Sequence, residues 1–552
     1  MNWPIQTWFH RRLSPLGGES RGGGTKRSYR EWIRRPLRRW AALWVCGVAA
    51  LLLGLGTPGG AQEAAGALEG WRITPQLGVG VIYSDNIRLA PADEAESDLV
   101  LEVEPGVSMR KQGGRLEVRL DYSAQGLFYT NDSDASTVNH NLRAFSVTEL
   151  YQDRLFVDAY GSVSQVPIAS DGPEDRGGFF RPGNTALTGN QTTQANFGIS
   201  PYWRQDFGGW VEALLRYRYD DVAFGRDEFD GNIQTATLDL ASGRRFSRLN
   251  WNLAYSHQRE ERGEADSEDD IRERATGRAS YQINNQWALL AEVGYVNDRV
   301  AGFENVDNGL FWGLGANWTP SRFFSLAALY GLNLNEVVAQ WNPTSRTRLR
   351  VGRREEEVGV DPGVRWEGLF AHRTRYTTWS ASYTEEVTSV RRLFGESLIG
   401  VGPDGLPVAL DEEGQIVPVD GSFGLSTENF LRKRFTSRVT YQRGRSGLGF
   451  NVFDESREFP DGDSDENTYG VGMFWSWQFA PRTRSIIGLR WERDDLSDDR
   501  QNEYWISEFG LARQISPDMD GLLGYSHYRN EADPSDQSFR ENQLNARLNM
   551  RF

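Results

Sequence analysis

Apolar and polar side chains take turns along most of the chain from residue 72 onward. From Leu116, one face carries Leu116, Val118, Leu120, Tyr122, Ala124, Gly126 and Phe128. The other carries Glu117, Arg119, Asp121, Ser123 and Gln125. The segment from Val211 repeats this, with Val211, Ala213, Leu215, Tyr217 and Tyr219 set against Glu212, Arg216, Arg218 and Asp220. Leu289, Ala291, Val293 and Tyr295 form a third such face. The last nine residues alternate without a break, Leu544, Ala546, Leu548, Met550 and Phe552 against Asn545, Arg547, Asn549 and Arg551. A period of two is that of a β-strand. An apolar face backed by arginines and carboxylates suits a strand with hydrocarbon on one side and water on the other, although one such strand also suits a soluble sandwich.

The strands follow a hairpin rhythm. A run of roughly 10–15 residues meets a tight turn, returns, and enters a longer polar loop. Tight turns rich in Gly, Pro, Asn, Asp and Ser fall at 111–114, 152–154, 205–208, 246–248, 284–286, 319–321, 444–446, 480–482 and 516–518, with a further junction near 371–372. The largest loops are expected at 166–189, 336–356 and 388–424, and shorter ones near 84–97, 261–269, 460–465, 494–501 and 531–537. Ten turns join twenty strands. One more at each end, 72–83 and 538–552, makes about 22, within a range of 18–24. The expectation is an all-β, closed, antiparallel transmembrane β-barrel with short periplasmic turns and long extracellular loops. Trp203, Trp210, Trp251, Trp287, Trp318, Trp477 and Trp491 sit near strand ends, where interfacial girdles lie.

Composition narrows the picture. The 552-residue chain has 39% hydrophobic residues, and outside the N-terminus no apolar run is long enough for a spanning helix. Its mean hydropathy is -0.57, which a barrel tolerates because only every second residue meets lipid. Residues 1–61 read as a signal peptide with a long basic leader. Arg34, Arg35, Arg38 and Arg39 precede the apolar stretch Trp40–Leu55, and Gly59-Gly60-Ala61 supplies the small cleavage residues. Residues 62–71 would be a short periplasmic segment and 72–552 the barrel. The only cysteine, Cys46, falls in the leader behind a poor lipidation box, so the mature chain has no thiol chemistry. Taking the leader's 10 basic and 2 acidic residues from the totals of 61 and 76 leaves 51 and 74, a net charge of about -23. That excludes a nucleic-acid partner. Lys111 and Lys433 are the only lysines left; every other basic residue is arginine, which grips phosphate and carboxylate well.

A barrel this wide encloses a large lumen. With only about ten residues between cleavage site and first strand, no plug domain is expected. Side chains, in-folded loops or water must fill the opening. The inward candidates are Glu117, Arg119, Asp121, Glu212, Arg216, Arg218, Asp220, Arg365, Glu367, Arg490, Glu492, Arg547 and Arg551. Their mixed signs suit neutral or weakly charged solutes, or cross-strand pairs that simply fill space. Phe179, Phe180 and Arg181 are candidates for a constriction loop.

Candidate chemistry is sparse. His140, His257, His372 and His527 lack metal-ligand spacing. Ser256-His257 and Ser526-His527 are neighbours on strands, so each pair points to opposite faces and makes no hydrolytic dyad. Asp461-Gly462-Asp463-Ser464-Asp465 starts like a calcium loop but has Glu466 and Gly472 where Gly and Glu are required. No catalytic residue, metal or cofactor is expected.

Two short motifs carry a resemblance. The closing Phe552 resembles the C-terminal signature of bacterial outer-membrane barrels that the barrel-assembly machinery reads, which makes it the assembly signal. The first strand runs into Tyr83-Ser84-Asp85-Asn86-Ile87. This resembles β-barrel porins associated with PEP-CTERM/exosortase and exopolysaccharide gene sets. The resemblance implies location in the outer membrane of a Gram-negative cell, among its lipid and lipopolysaccharide. It also implies a porin-like channel or conduit linked to polysaccharide export and its apparatus. The alternative is a non-conducting structural barrel whose loops bind glycans or matrix.

Overall fold

The computed structural model describes residues 70–552, except short stretches at 170–171, 182, 226–228, 264–267, 304–305, 397, 402–406, 411–415, 418–424, 461–464, 497–499 and 534–536. The expected signal peptide and residues 461–464 of the acidic loop lie outside the described residues. Twenty-four long strands form one antiparallel sheet. The first, Trp71–Ser84, pairs with the last, Phe539–Arg551, from Gln76↔Arg551 to Ser84↔Gln543, which closes the barrel. Closure satisfies every backbone edge, the condition for crossing hydrocarbon with strands.

The strand count corrects the expected 22. The added hairpin is Leu334–Thr344 with Thr347–Glu356, inside the stretch read as a loop at 336–356. Two features hide it. Strand Phe324–Leu332 passes to Leu334 through Asn333 alone, at φ 55°, so no polar loop punctuates the chain. The strand that follows carries Arg348, Arg350, Arg353, Arg354, Glu355 and Glu356, which imitate a solvated loop. The junction expected near 371–372 lies at 374–376, between Gly363–Arg373 and Thr377–Ser389.

The outward positions are exposed and apolar, among them Leu289, Val293, Tyr295, Leu314, Leu523 and Leu544. Aromatic pairs mark the belt edges. Trp287 and Trp318 stack at 6.1 Å near the periplasmic turns, as do Trp475 and Trp477, while Trp491 and Trp505 meet at 6.1 Å toward the other rim.

The barrel is not round. Strand spacing of about 4.8 Å and a tilt of about 40° give a circular 24-strand barrel a diameter of about 48 Å. Strands five apart would then stand about 29 Å apart, beyond the reach of two side chains. Yet Arg274 on Asp270–Gln282 donates to Glu356, five strands away, at 2.6 Å. The wall is therefore sharply curved there. Farther round, Asn429 at the start of strand Asn429–Arg443 donates to Asp270 at 2.9 Å. Ser389, closing strand Thr377–Ser389, donates to Glu260 on Leu249–Arg262 at 2.8 Å. Opposite walls thus touch at the extracellular rim.

Candidate functional site

The extracellular half of the lumen is filled from within. The loop after strand Leu155–Pro167, about residues 168–190, crosses to the wall built by Thr483–Asp495, Gln501–Ser516, Met519–Asp533 and Phe539–Arg551. Glu508 accepts hydrogen bonds from three consecutive amides of this loop, Phe179 and Phe180 at 2.9 Å and Arg181 at 3.2 Å. Three donors on one carboxylate give a charge-assisted clamp on the backbone. The two rings then enter a recess. Gly488, Gly510 and Gly524 lie on the inward face of three neighbouring strands, and a Cβ there would meet Phe179 or Phe180.

Arginine anchors hold the rest. Arg176 contacts Glu492 at 2.5 Å, Asp494 at 2.6 Å and Glu174 at 3.0 Å, with its guanidinium 3.7 Å above the Tyr504 ring. Arg181 reaches Glu541 at 2.8 Å, also pairs with Asp175, and lies over Tyr528. Burial opposes the charged form of both guanidiniums. Their carboxylate partners outweigh it and hold both above the ordinary arginine value. A buried charge of this kind is tolerated only while its partners stay in place.

The same contacts lock the barrel seam. Ser84 on the first strand donates to Glu541 on the last at 2.6 Å, the carboxylate that Arg181 grips. Asp85 accepts from the Asn542 amide at 2.6 Å, and Asn86 bonds both the Ala90 and Arg540 carbonyls. The Ser84-Asp85-Asn86 motif therefore staples the first loop to the final strand.

A second insertion follows strand Thr377–Ser389. Helix Val390–Glu396 brings Arg391 to Glu260 at 2.9 Å, and the chain continues into a small sheet of Leu398–Val401, Pro407–Leu410 and Ile416–Val417. Val222, Phe224, Val390, Phe430 and Phe459 form an apolar cluster beneath. On the sharply curved side, Arg354 links Glu292, Glu336 and Glu356, over a cluster of Val296, Phe311, Leu334 and Val358. The expectation of a plug-free barrel is corrected to this extent: no separate domain is seen among the described residues, but in-folded loops bind the inner wall at the mouth.

The periplasmic half differs. Glu117 pairs with Arg119 at 2.9 Å, Asp121 with Arg110 at 2.8 Å, Glu367 with Arg350 at 2.7 Å and Arg551 with Asp520 at 2.6 Å, all with substantial exposure. Glu212 is exposed near its turn, whereas Arg365 is half-buried near the extracellular end of strand Gly363–Arg373, opposite Arg354. At mid-height Arg216 meets Asp158 at 3.2 Å, Arg218 meets Asp220 at 2.6 Å, and Arg547 meets Glu102 at 3.1 Å and also Glu104. Arg490 and Glu492 belong to the mouth, at the Gly177 carbonyl and Arg176. The inward candidates thus divide between two environments. Glu508, Glu541, Glu260 and Arg354 escaped the sequence reading. Alternation with the outward Trp505 and Phe509 marks Glu508 as inward, but its partner loop lies more than 300 positions away.

The histidines do not build a hydrolytic site. His527 is on the outward face and meets Asn542 at 2.9 Å, while Ser526 is buried on the inward face. Among the described residues no His, Cys, Asp and Glu group is arranged to hold a metal ion.

No family model and no curated protein sequence matches the chain. Several solved structures align with it in outline. A ferric enterobactin receptor variant from Pseudomonas aeruginosa aligns at 10% identity, over 86% of this chain and 80% of that one, with a TM-score of 0.43. The FrpB iron transporter from Neisseria meningitidis aligns at 11%, over 89% and 84%, with a TM-score of 0.41. The siderophore receptor PirA from Acinetobacter baumannii aligns at 10%, over 87% and 80%, with a TM-score of 0.42.

Proposed function

We propose that this outer-membrane β-barrel is a gated conduit for a polar solute, entered from the periplasm and shut at the cell surface by its own loops. One observation carries the reading. Phe179–Arg181 is clamped inside the mouth by Glu508 and Glu541, while the periplasmic inward positions keep solvent exposure. A clamp made of one short segment is a separable closing element. Its departure would uncover the polar face of four wall strands without disturbing the sheet that spans the membrane.

The resemblance carried by Tyr83-Ser84-Asp85-Asn86 makes a polysaccharide the first cargo to test, and its export apparatus, lipopolysaccharide and the assembly machinery the expected partners. Planar-bilayer recording tests the reading. The mature barrel should be nearly silent, and a variant with residues 173–187 replaced by a short Gly/Ser linker should give steady single-channel currents. The second reading is a non-conducting scaffold, favoured by the buried ion pairs that fill the mouth. A folded deletion variant that stays silent selects it.

A further inference from the structure

The periplasmic end of the lumen is electrically lopsided. Consider the eight consecutive wall strands from Leu334–Thr344 to Thr483–Asp495. Their four periplasmic turns carry Arg346, Arg375, Arg445 and Arg482, and no acid. Above the turns, the first three inward positions on each strand hold no Asp or Glu. They hold Arg348, Arg350, Arg373, Arg438 and Arg484 among Ser, Thr, Asn, Gln, Gly and a few apolar residues. Apart from Arg350, none of these arginines makes an ion pair among the described residues, and Arg348, Arg373 and Arg484 are exposed. The nearest inward acid, Glu367, is taken by Arg350. Across the lumen the wall is mixed, with Glu117 beside Arg119 and Arg110 on Asp121.

In a chain with 76 acidic and 61 basic residues, an acid-free sector bearing unpaired guanidiniums stands out from the charge balance. Arginine forks bind carboxylates in bidentate fashion, and hydroxyl and amide side chains between them match sugar hydroxyls. Arg348, Arg373 and Arg484 ring the periplasmic opening at the first inward position above their turns, and Arg438 stands two inward positions higher. That placement meets a chain entering the opening from the periplasm.

We propose that this sector is a capture site for an acidic polysaccharide, a chain bearing carboxylate groups along its length. The inference rests on the conduit reading and names the class of its cargo. Capture needs only the open periplasmic end, so it is measured by binding, separately from conduction.

The experiment uses the full mature barrel in detergent. Polygalacturonate, dextran of equal length and polyglutamate are titrated by calorimetry at low and at 0.5 M salt. Polygalacturonate should bind, weaken steeply with salt, and bind about tenfold more weakly to a combined Arg348→Gln, Arg373→Gln, Arg438→Gln, Arg484→Gln variant. Should that variant misfold, the Arg348→Gln/Arg484→Gln pair should weaken binding about threefold, with Arg119→Gln on the mixed wall as an unaffected control. Equal binding of dextran, no loss in the arginine variants, or binding of polyglutamate without polygalacturonate each overturns the proposal, the last in favour of an acidic protein partner. Currents from the loop-deleted barrel without polygalacturonate binding leave the conduit standing and remove the cargo. Binding by a deletion variant that never conducts does the reverse.

Discussion

Arg181 and Arg119 both face the interior and both pair with carboxylates, yet Arg181 has no exposed side-chain surface and Arg119 keeps 61%. The same residue types thus build two lumens in series. Around Arg176 and Arg181 solvent is excluded, so each charge must be matched and each match is expensive to break. At the periplasmic end, water screens the pairs and they contribute little. Occlusion therefore depends on how deeply in-folded loops desolvate charges that are common to both halves.

Four experiments break or sharpen this contrast. The strongest is the loop replacement at 173–187, which should turn the dry half wet and raise conductance from near silence to a large-pore level in planar bilayers. Next, Arg181→Leu leaves Glu541 and Asp175 buried without their cation. It should cost roughly 3–5 kcal/mol, read as a lowered heat-modifiability midpoint on gels together with frequent current bursts. Filling the recess comes third. Gly510→Val places side-chain atoms against the Phe180 ring, an overpacking of about 1–3 kcal/mol that the loop can relieve by leaving. Flickering openings with an unchanged unfolding midpoint are expected, and a quiet, destabilised barrel would argue that the ring is not displaceable. The smallest effect belongs to Glu117→Gln, whose exposed pair with Arg119 contributes about 0–1 kcal/mol. Neither conductance nor unfolding midpoint should move measurably, and a large shift would mean the periplasmic half is not solvent-screened.

Strands and faces were legible because a sheet repeats every two residues. Leu544, Ala546 and Leu548 declare their side of the wall with no knowledge of the partner strand. The count slipped where that local rule loses contrast. At Leu334–Glu356 a one-residue connection through Asn333 and an arginine-rich strand removed the punctuation that separates hairpins. The mouth was legible only as parts. Phe179, Phe180 and Arg181 are conspicuous in a polar loop, but nothing nearby names Glu508 and Glu541 as their partners. The Asp85-Asn86 motif likewise looks like a turn cap until Asn542 arrives from the far end of the chain.

The amino-acid order alone settles that these strands build a wall with an apolar face and a polar face, because side-chain direction in a strand is a local property of the backbone. It does not settle whether that wall encloses a passage. Strands far apart in sequence meet at Asn429 and Asp270, and a loop crosses the lumen to Glu508, only once the ring has closed and been drawn in. Desolvation depends on everything surrounding a charge, so the difference between a screened arginine and a locked one exists only in three dimensions.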